Sequence, residues 1–225
     1  MECATLPACR MGEDIVRLRP LWFFGSILYV WLVLTAHPAL AHHVMGGKLP
    51  SSFTEGLLSG LGHPIIGADH LAAVLAVGVL ASVHRLGPVL VIGYVLAQIA
   101  GAALHVREAN VPAAELLVAL SVIALGGLLV LRRALPEFVV LGLFLVAGLL
   151  HGYALGESIV GAERAPLGAY FAGFAAIQIV IALAAMMLAR RLAPQGGEQH
   201  ASMRLIGAGI VGLGIGAVAT QLGAV

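Results

Sequence analysis

The sequence predicts an all-α, polytopic membrane protein: six core transmembrane helices and a short interfacial or re-entrant helix, preceded by a signal peptide or signal-anchor helix. Of the 225 residues, 60% are hydrophobic and only 10% are charged, whereas soluble domains carry roughly 25% charged residues. The mean hydropathy is +1.03. Apolar stretches recur along the whole chain between short polar connections, and about 20 apolar residues are what a helix needs to cross the hydrocarbon core. Helices are expected because backbone polar groups in lipid must be satisfied within the segment. The partner implied throughout is therefore the lipid bilayer. The net charge of +1 argues against a nucleic-acid partner, and no connection is long enough to hold a soluble domain.

The leader comes first. Arg10, Arg17 and Arg19 precede the apolar run from Leu21 to Thr35, which ends in Ala39-Leu40-Ala41. That is the n-region, h-region and A-x-A layout of a secretory signal. Residues 1–41 are expected either to be removed, leaving His42-His43 at the new terminus, or to stay as a first helix. Residues 42–225 form the membrane domain. Cys3 and Cys9 lie upstream of it, so no thiolate is available to a site within it.

Ser52-Phe53-Thr54-Glu55 fits a capping box. The helix it opens is expected to last only to about Leu61, where Gly62-His63-Pro64 breaks it, too short to span. Pro64 then suits the first position of a new helix, where its missing N–H costs nothing. The full spans fall at roughly 65–83, 87–105, 113–131, 137–160, 167–189 and 204–223.

Lysine and arginine set the orientation. With residues 42–64 outside, the inner connections carry Arg85, Arg132, Arg133, Arg190, Arg191 and Arg204, and the outer ones Lys48, Arg107 and Arg164. Reporter fusions after Arg133 and after Val225 are accordingly expected to report opposite sides, cytoplasmic for the first. A cytoplasmic signal at Val225 would mean that the number of spans is off by one. In this orientation His42, His43, His63, His70, His105 and His151 all fall on the outer side or in the outer half of the membrane, and scattered core histidines would not cluster so.

The sharpest signal is His63-Pro64-Ile65-Ile66-Gly67-Ala68-Asp69-His70. Ionisable residues within a span are costly, face a cavity or a partner, and mark function by default; a structural Asp–His pair tying two helices is the bland alternative. Imidazole and carboxylate are ligands expected for nickel, cobalt or zinc. In a continuous helix His63 and His70 would lie about 10 Å apart along the axis. They can share an ion only if the backbone breaks at Pro64 or bends at Gly67; otherwise they are successive stations. A second element, His151-Gly152-Tyr153-Ala154-Leu155-Gly156-Glu157, interrupts the fourth span. Glu157 is expected to be embedded there and to need a partner, and Gly152 and Gly156 present a small face for close helix approach.

The stretch HPIIGADHLAAVLAVGVLAS, His63 to Ser82, resembles the HPxxGxDHxxAxxxVGxxA signature of the HupE/UreJ family of nickel and cobalt permeases. HGYALGE, His151 to Glu157, is similar to that family's HGxAxGxE segment, with Tyr153 and Leu155 where members often carry further histidines. The resemblance covers essentially the whole chain after residue 40. It implies that His63, Asp69, His70 and Glu157 bind or conduct the metal.

Two features carry less. Gly207-Ala208-Gly209-Ile210-Val211-Gly212 matches GxGxxG, but that fingerprint needs a strand before it and a solvent-facing helix start. Inside an apolar span it reads, with Gly214 and Gly216, as helix packing. Gln98 and Gln178 sit mid-span, where interhelical hydrogen bonding is expected ahead of ion contact. There is no Walker lysine, so no nucleotide partner is implied.

The leading expectation is a secondary permease, not an enzyme, in an inner (cytoplasmic) bacterial membrane with its metal site toward the periplasmic side. Ni²⁺ or Co²⁺ would be cargo, with no prosthetic group. His42 and His43 would capture the ion; His63, Asp69 and His70 would desolvate and pass it, with His105, His151 and Glu157 lining the path. Other readings are an intramembrane Zn²⁺ hydrolase with Asp69 or Glu157 as base, and a non-transporting accessory subunit. A homo-oligomer or a membrane-complex partner is compatible with each.

Overall fold

The computed structural model describes residues 48–131, 135–192 and 197–223, without side-chain detail at 192–201, and all regular structure in them is helical. The leader, His42 and His43 lie outside the described residues. The helices are α1 (Phe53–Ile66), α2 (Ala68–Ala81), α3 (Gly87–Val106), α4 (Ala114–Leu131), α5 (Glu137–Gly156), α6 (Arg164–Leu192) and α7 (Gly197–Gln221), with a 3-10 turn at Glu157–Ile159. Five of them are long and apolar enough to cross a membrane, and there are six spans if the bent pair α1–α2 counts as one. Large apolar side chains such as Leu96, Leu120, Phe138, Val146, Val180 and Ile215 point outward from these helices, which suits hydrocarbon and not water.

The sequence places the break at His63-Pro64; the structure places it at Gly67. Helix α1 runs on through Pro64, and α2 leaves it at 79°. A proline sterically opposes the turn before it and leaves the residues after it unconstrained. Near the end of α1 it costs one hydrogen bond, and the backbone N–H of Gly67 still reaches the His63 carbonyl at 3.1 Å to close the last turn. The chain departs at Gly67, whose ψ of 107° is extended. Asp69, in the first turn of α2, then accepts the backbone N–H of His70 at 2.9 Å, the placement that a helix N-terminus favours for an acid. At the head of α1, Ser52 Oγ accepts the Glu55 N–H as the capping box requires. The Glu55 carboxylate bonds back to Ser51 N and Oγ rather than to Ser52.

Helix α2 is the hub, packing on α3, α4, α6 and α7 as well as on α1. Around it the closest pairs are α3 with α5, α4 with α7 and α1 with α6. Lipid tails supply no hydrophobic drive for helices to meet, so small residues that let backbones touch must do so. Gly101, Gly148 and Gly152 bring α3 and α5 into backbone contact. Gly56, Gly60 and Gly173 do the same for α1 and α6. Hence α1 does not lie alone at the interface: Gly56, Ser59, Gly60, His63 and Pro64 form its buried stripe. In the GxGxxG stretch Gly207 packs against Gly126, and Gly214 meets Ile123, while Gly209, Gly212 and Gly216 have open space before them.

Candidate functional site

The 79° turn at Gly67 folds the two ends of the first motif together. The rings of His63 on α1 and His70 on α2 stack with centroids 6.2 Å apart. Helix α5 supplies the third: the His151 ring meets that of His70 edge-on at 5.1 Å. All three are buried. The cluster opens at Asp69, whose side chain keeps 26% of its exposure against 6% for His70.

His63 and His151 each have one ring nitrogen held by a neighbour. His63 Nδ1 lies 3.0 Å from Ser158 Oγ and 3.2 Å from the Tyr170 hydroxyl. Tyr170 donates its own hydrogen to the Leu155 carbonyl at 2.7 Å, so its oxygen can only accept, and Nδ1 of His63 is the donor there. His70 Nδ1 is 3.1 Å from Asp69 Oδ1. It makes no hydrogen bond there, since the same oxygen takes the His70 backbone N–H. His151 Nε2 is 2.9 Å from Ser121 Oγ. Ser121 spends its hydrogen on the Val118 carbonyl at 2.7 Å, so Nε2 donates and Nδ1 keeps its lone pair, buried and without a protein partner. The lone-pair nitrogen that the hydrogen bonds fix is thus Nδ1 of His151. Orienting the second ring nitrogen in this way is what metal-ligating histidines require.

Among the described residues no three His, Cys, Asp or Glu side chains converge tightly enough to cage an ion. The rings sit one beside the next, so an ion held here touches one or two of them at a time. A chain of such partial sites is suited to hand-over, because a complete shell would not release its ion.

His105 and Glu157 stand apart from this cluster. Both line a cavity of about 430 Å³ with Glu115, Tyr153 and Gln221. His105 Nδ1 contacts the Tyr153 carbonyl at 2.8 Å, and its ring lies 4.3 Å from that of Tyr153. Helix α5 stops at Gly156 and Glu157 begins the 3-10 turn, exposed at the protein surface and within the Glu137–Ile159 stretch that is long and apolar enough to span.

Sequence reasoning missed Glu115, in the first turn of α4, which lines the same cavity and interacts electrostatically with His70. The signal available was an acid at the edge of an apolar span. Ser121, Ser158 and Tyr170 were also missed, since nothing in single hydroxyls on apolar helices marks them as histidine partners. Gln98 and Gln178 do what was expected: Gln98 Nε2 donates to Gln178 Oε1 at 3.0 Å.

A family model described as HupE / UreJ protein matches residues 30–217. Protein HupE of Rhizobium leguminosarum bv. viciae is 30% identical over 152 residues, which is 67% of this chain and 76% of that protein. No solved structure matches.

Proposed function

The chain belongs to the HupE/UreJ family, a nickel- and cobalt-transport-related family of transport and accessory proteins rather than of enzymes, and on that premise we propose that it is a secondary permease for Ni²⁺ or Co²⁺. The observation that carries the reading is the buried run of His63, His70 and His151, from three different helices, with Asp69 at its open edge. Three imidazoles and a carboxylate inside a membrane domain are costly to keep there. They fit a borderline divalent ion of the nickel and cobalt type.

The route begins in the cavity, where Glu115, Glu157 and His105 gather the hydrated cation from the outer, periplasmic side. Two carboxylates concentrate cations at a mouth. His42 and His43, in the segment ahead of α1, supply an earlier point of capture. The ion then sheds water against Asp69 and His70, whose Nε2 replaces a water ligand, and passes between His63 and His151. Nickel and cobalt share ligand preferences closely enough that these residues accept either.

Uptake of radiolabelled Ni²⁺ and Co²⁺ into cells expressing wild type or His70→Ala tests this. Wild-type cells are expected to accumulate either ion well above vector controls, with each ion competing against the other. His70→Ala should return uptake to background with unchanged protein in the membrane. Wild-type uptake at the vector level would defeat the permease reading.

A further inference from the structure

Beyond His151 the polar path does not stop at once. Tyr94 and Gln98 lie on α3, four residues apart and so on one face. Both side chains are fully buried, as is Gln178 on α6. The backbone of α5 fixes their depth: Gly152 packs on Gln98, and Gly148 packs on the Tyr94 carbonyl. Gln98 is thus level with the cluster, and Tyr94 lies a turn further toward the Glu137 end of α5, with its ring 6.5 Å from that of His151. Past Tyr94 the buried side chains among the described residues are apolar, among them Val77, Ala81, Leu90, Val91 and Phe144. These three residues are the last polar groups before an apolar plug.

They are also under-used. The Tyr94 hydroxyl and Gln98 Oε1 have no protein partner, like Nδ1 of His151 beside them. Turning the amides does not cure this. Two glutamines joined by one bond always leave one carbonyl oxygen and one amide nitrogen over. A strut meant only to tie α3 to α6 has no use for a spare carbonyl oxygen and a spare hydroxyl, and buried oxygens left unpaired are disfavoured.

We propose that the Tyr94 hydroxyl and the free carbonyl oxygen of the Gln98–Gln178 pair form an inner oxygen station that takes the divalent ion from Nδ1 of His151. The inference rests on the permease reading and adds the step that reading lacks, from the histidines to the apolar plug. Neutral oxygens bind nickel and cobalt more weakly than imidazole does, so the ion is released here, and a partly hydrated ion can keep water on the amide nitrogen side.

The test uses full-length protein, with uptake of radiolabelled Ni²⁺ by cells and with Ni²⁺ binding and melting of the protein in nanodiscs. Gln98→Leu alone strands Gln178 and should lower the melting temperature. The double variant Gln98→Leu/Gln178→Leu removes both amides and should melt at or above wild type and bind Ni²⁺ at the histidines as wild type does. It should nevertheless lose at least tenfold in uptake. Tyr94→Phe, which removes only a hydroxyl, should lose uptake several-fold, and it decides the matter if the double variant fails to accumulate. Wild-type uptake in the double variant, or in Tyr94→Phe should that decide it, overturns the inner station and leaves the permease standing. Absence of uptake by wild type would overturn both.

Discussion

Asp69→Asn is expected to cut Ni²⁺ and Co²⁺ uptake by about 100-fold while leaving the amount of protein in the membrane nearly unchanged. Asp69 has two separable tasks. Its Oδ1 accepts the backbone N–H of His70 at 2.9 Å and thereby starts α2. It also places a negative charge 3.1 Å from His70 Nδ1. Asparagine has the same shape, and its carbonyl oxygen preserves the first task, so the bend at Gly67 survives. The charge is lost. A unit charge about 5 Å from a cation in surroundings of effective dielectric about 20 is worth about 3 kcal/mol per cation charge, and every 1.4 kcal/mol is about tenfold. Loss of orientation in a metal-bound histidine costs about 10- to 100-fold by itself. A hundredfold is therefore a conservative sum. Isotope uptake normalised to membrane protein by immunoblot measures it. Unimpaired uptake would remove the carboxylate from the path and reduce the cluster to a hydrogen-bonded knot between helices.

The spans were legible because lipid imposes one requirement on every residue of a segment, and α3, α4 and the Glu137–Ile159 stretch begin and end within a residue or so of where the sequence places them. The bend was not. Gly62-His63-Pro64 carries stronger breaker residues than Gly67-Ala68-Asp69 does, yet a proline in the last turn of a helix is cheap, and α1 is held helical there by Gly60 against the Tyr170 backbone on α6. That contact is more than a hundred residues distant in sequence, beyond any local pattern. Asp69 was the local clue: an acid followed by an apolar run marks a first turn. His63, His70 and His151 could be assembled from sequence because each is an ionisable group that cannot face lipid. Glu157 could not be placed the same way. It is exposed at the protein surface one residue past the end of α5, and hydropathy cannot resolve a single residue at a helix end.

The largest structural effect is expected at Gly152. A Cβ there would lie 1.9 Å from the Gln98 carbonyl oxygen, where Gly101 on the facing helix would place one 2.1 Å from the Leu149 carbonyl. Both obstacles are backbone, so no side-chain rotation relieves them. Valine at 152 must drive α3 from α5 by more than 1 Å to restore the separation of about 3.3 Å at which carbon and carbonyl oxygen ordinarily meet. That movement withdraws Gln98 from Gln178, parts the Tyr94 and Phe144 rings, which now sit 6.2 Å apart, and shifts His151 against His70. Damage of this kind belongs to the exceptional class above about 4–5 kcal/mol, a large part of the stability of a folded domain. Gly152→Val is therefore expected to reduce the folded protein recovered from membranes to about a tenth or less. Gly142→Val, on the same helix, is the control, because nothing lies within 4 Å of its Cβ; it should accumulate and take up Ni²⁺ as wild type does. Gly142→Ala should even gain about 1 kcal/mol from helix propensity. Immunoblots of membranes, with gel filtration of the detergent extract, separate the cases. Equal recovery of Gly152→Val and Gly142→Val would show that the α3–α5 contact is looser than its geometry demands, and the depth assigned to His151 and Gln98 would fall with it.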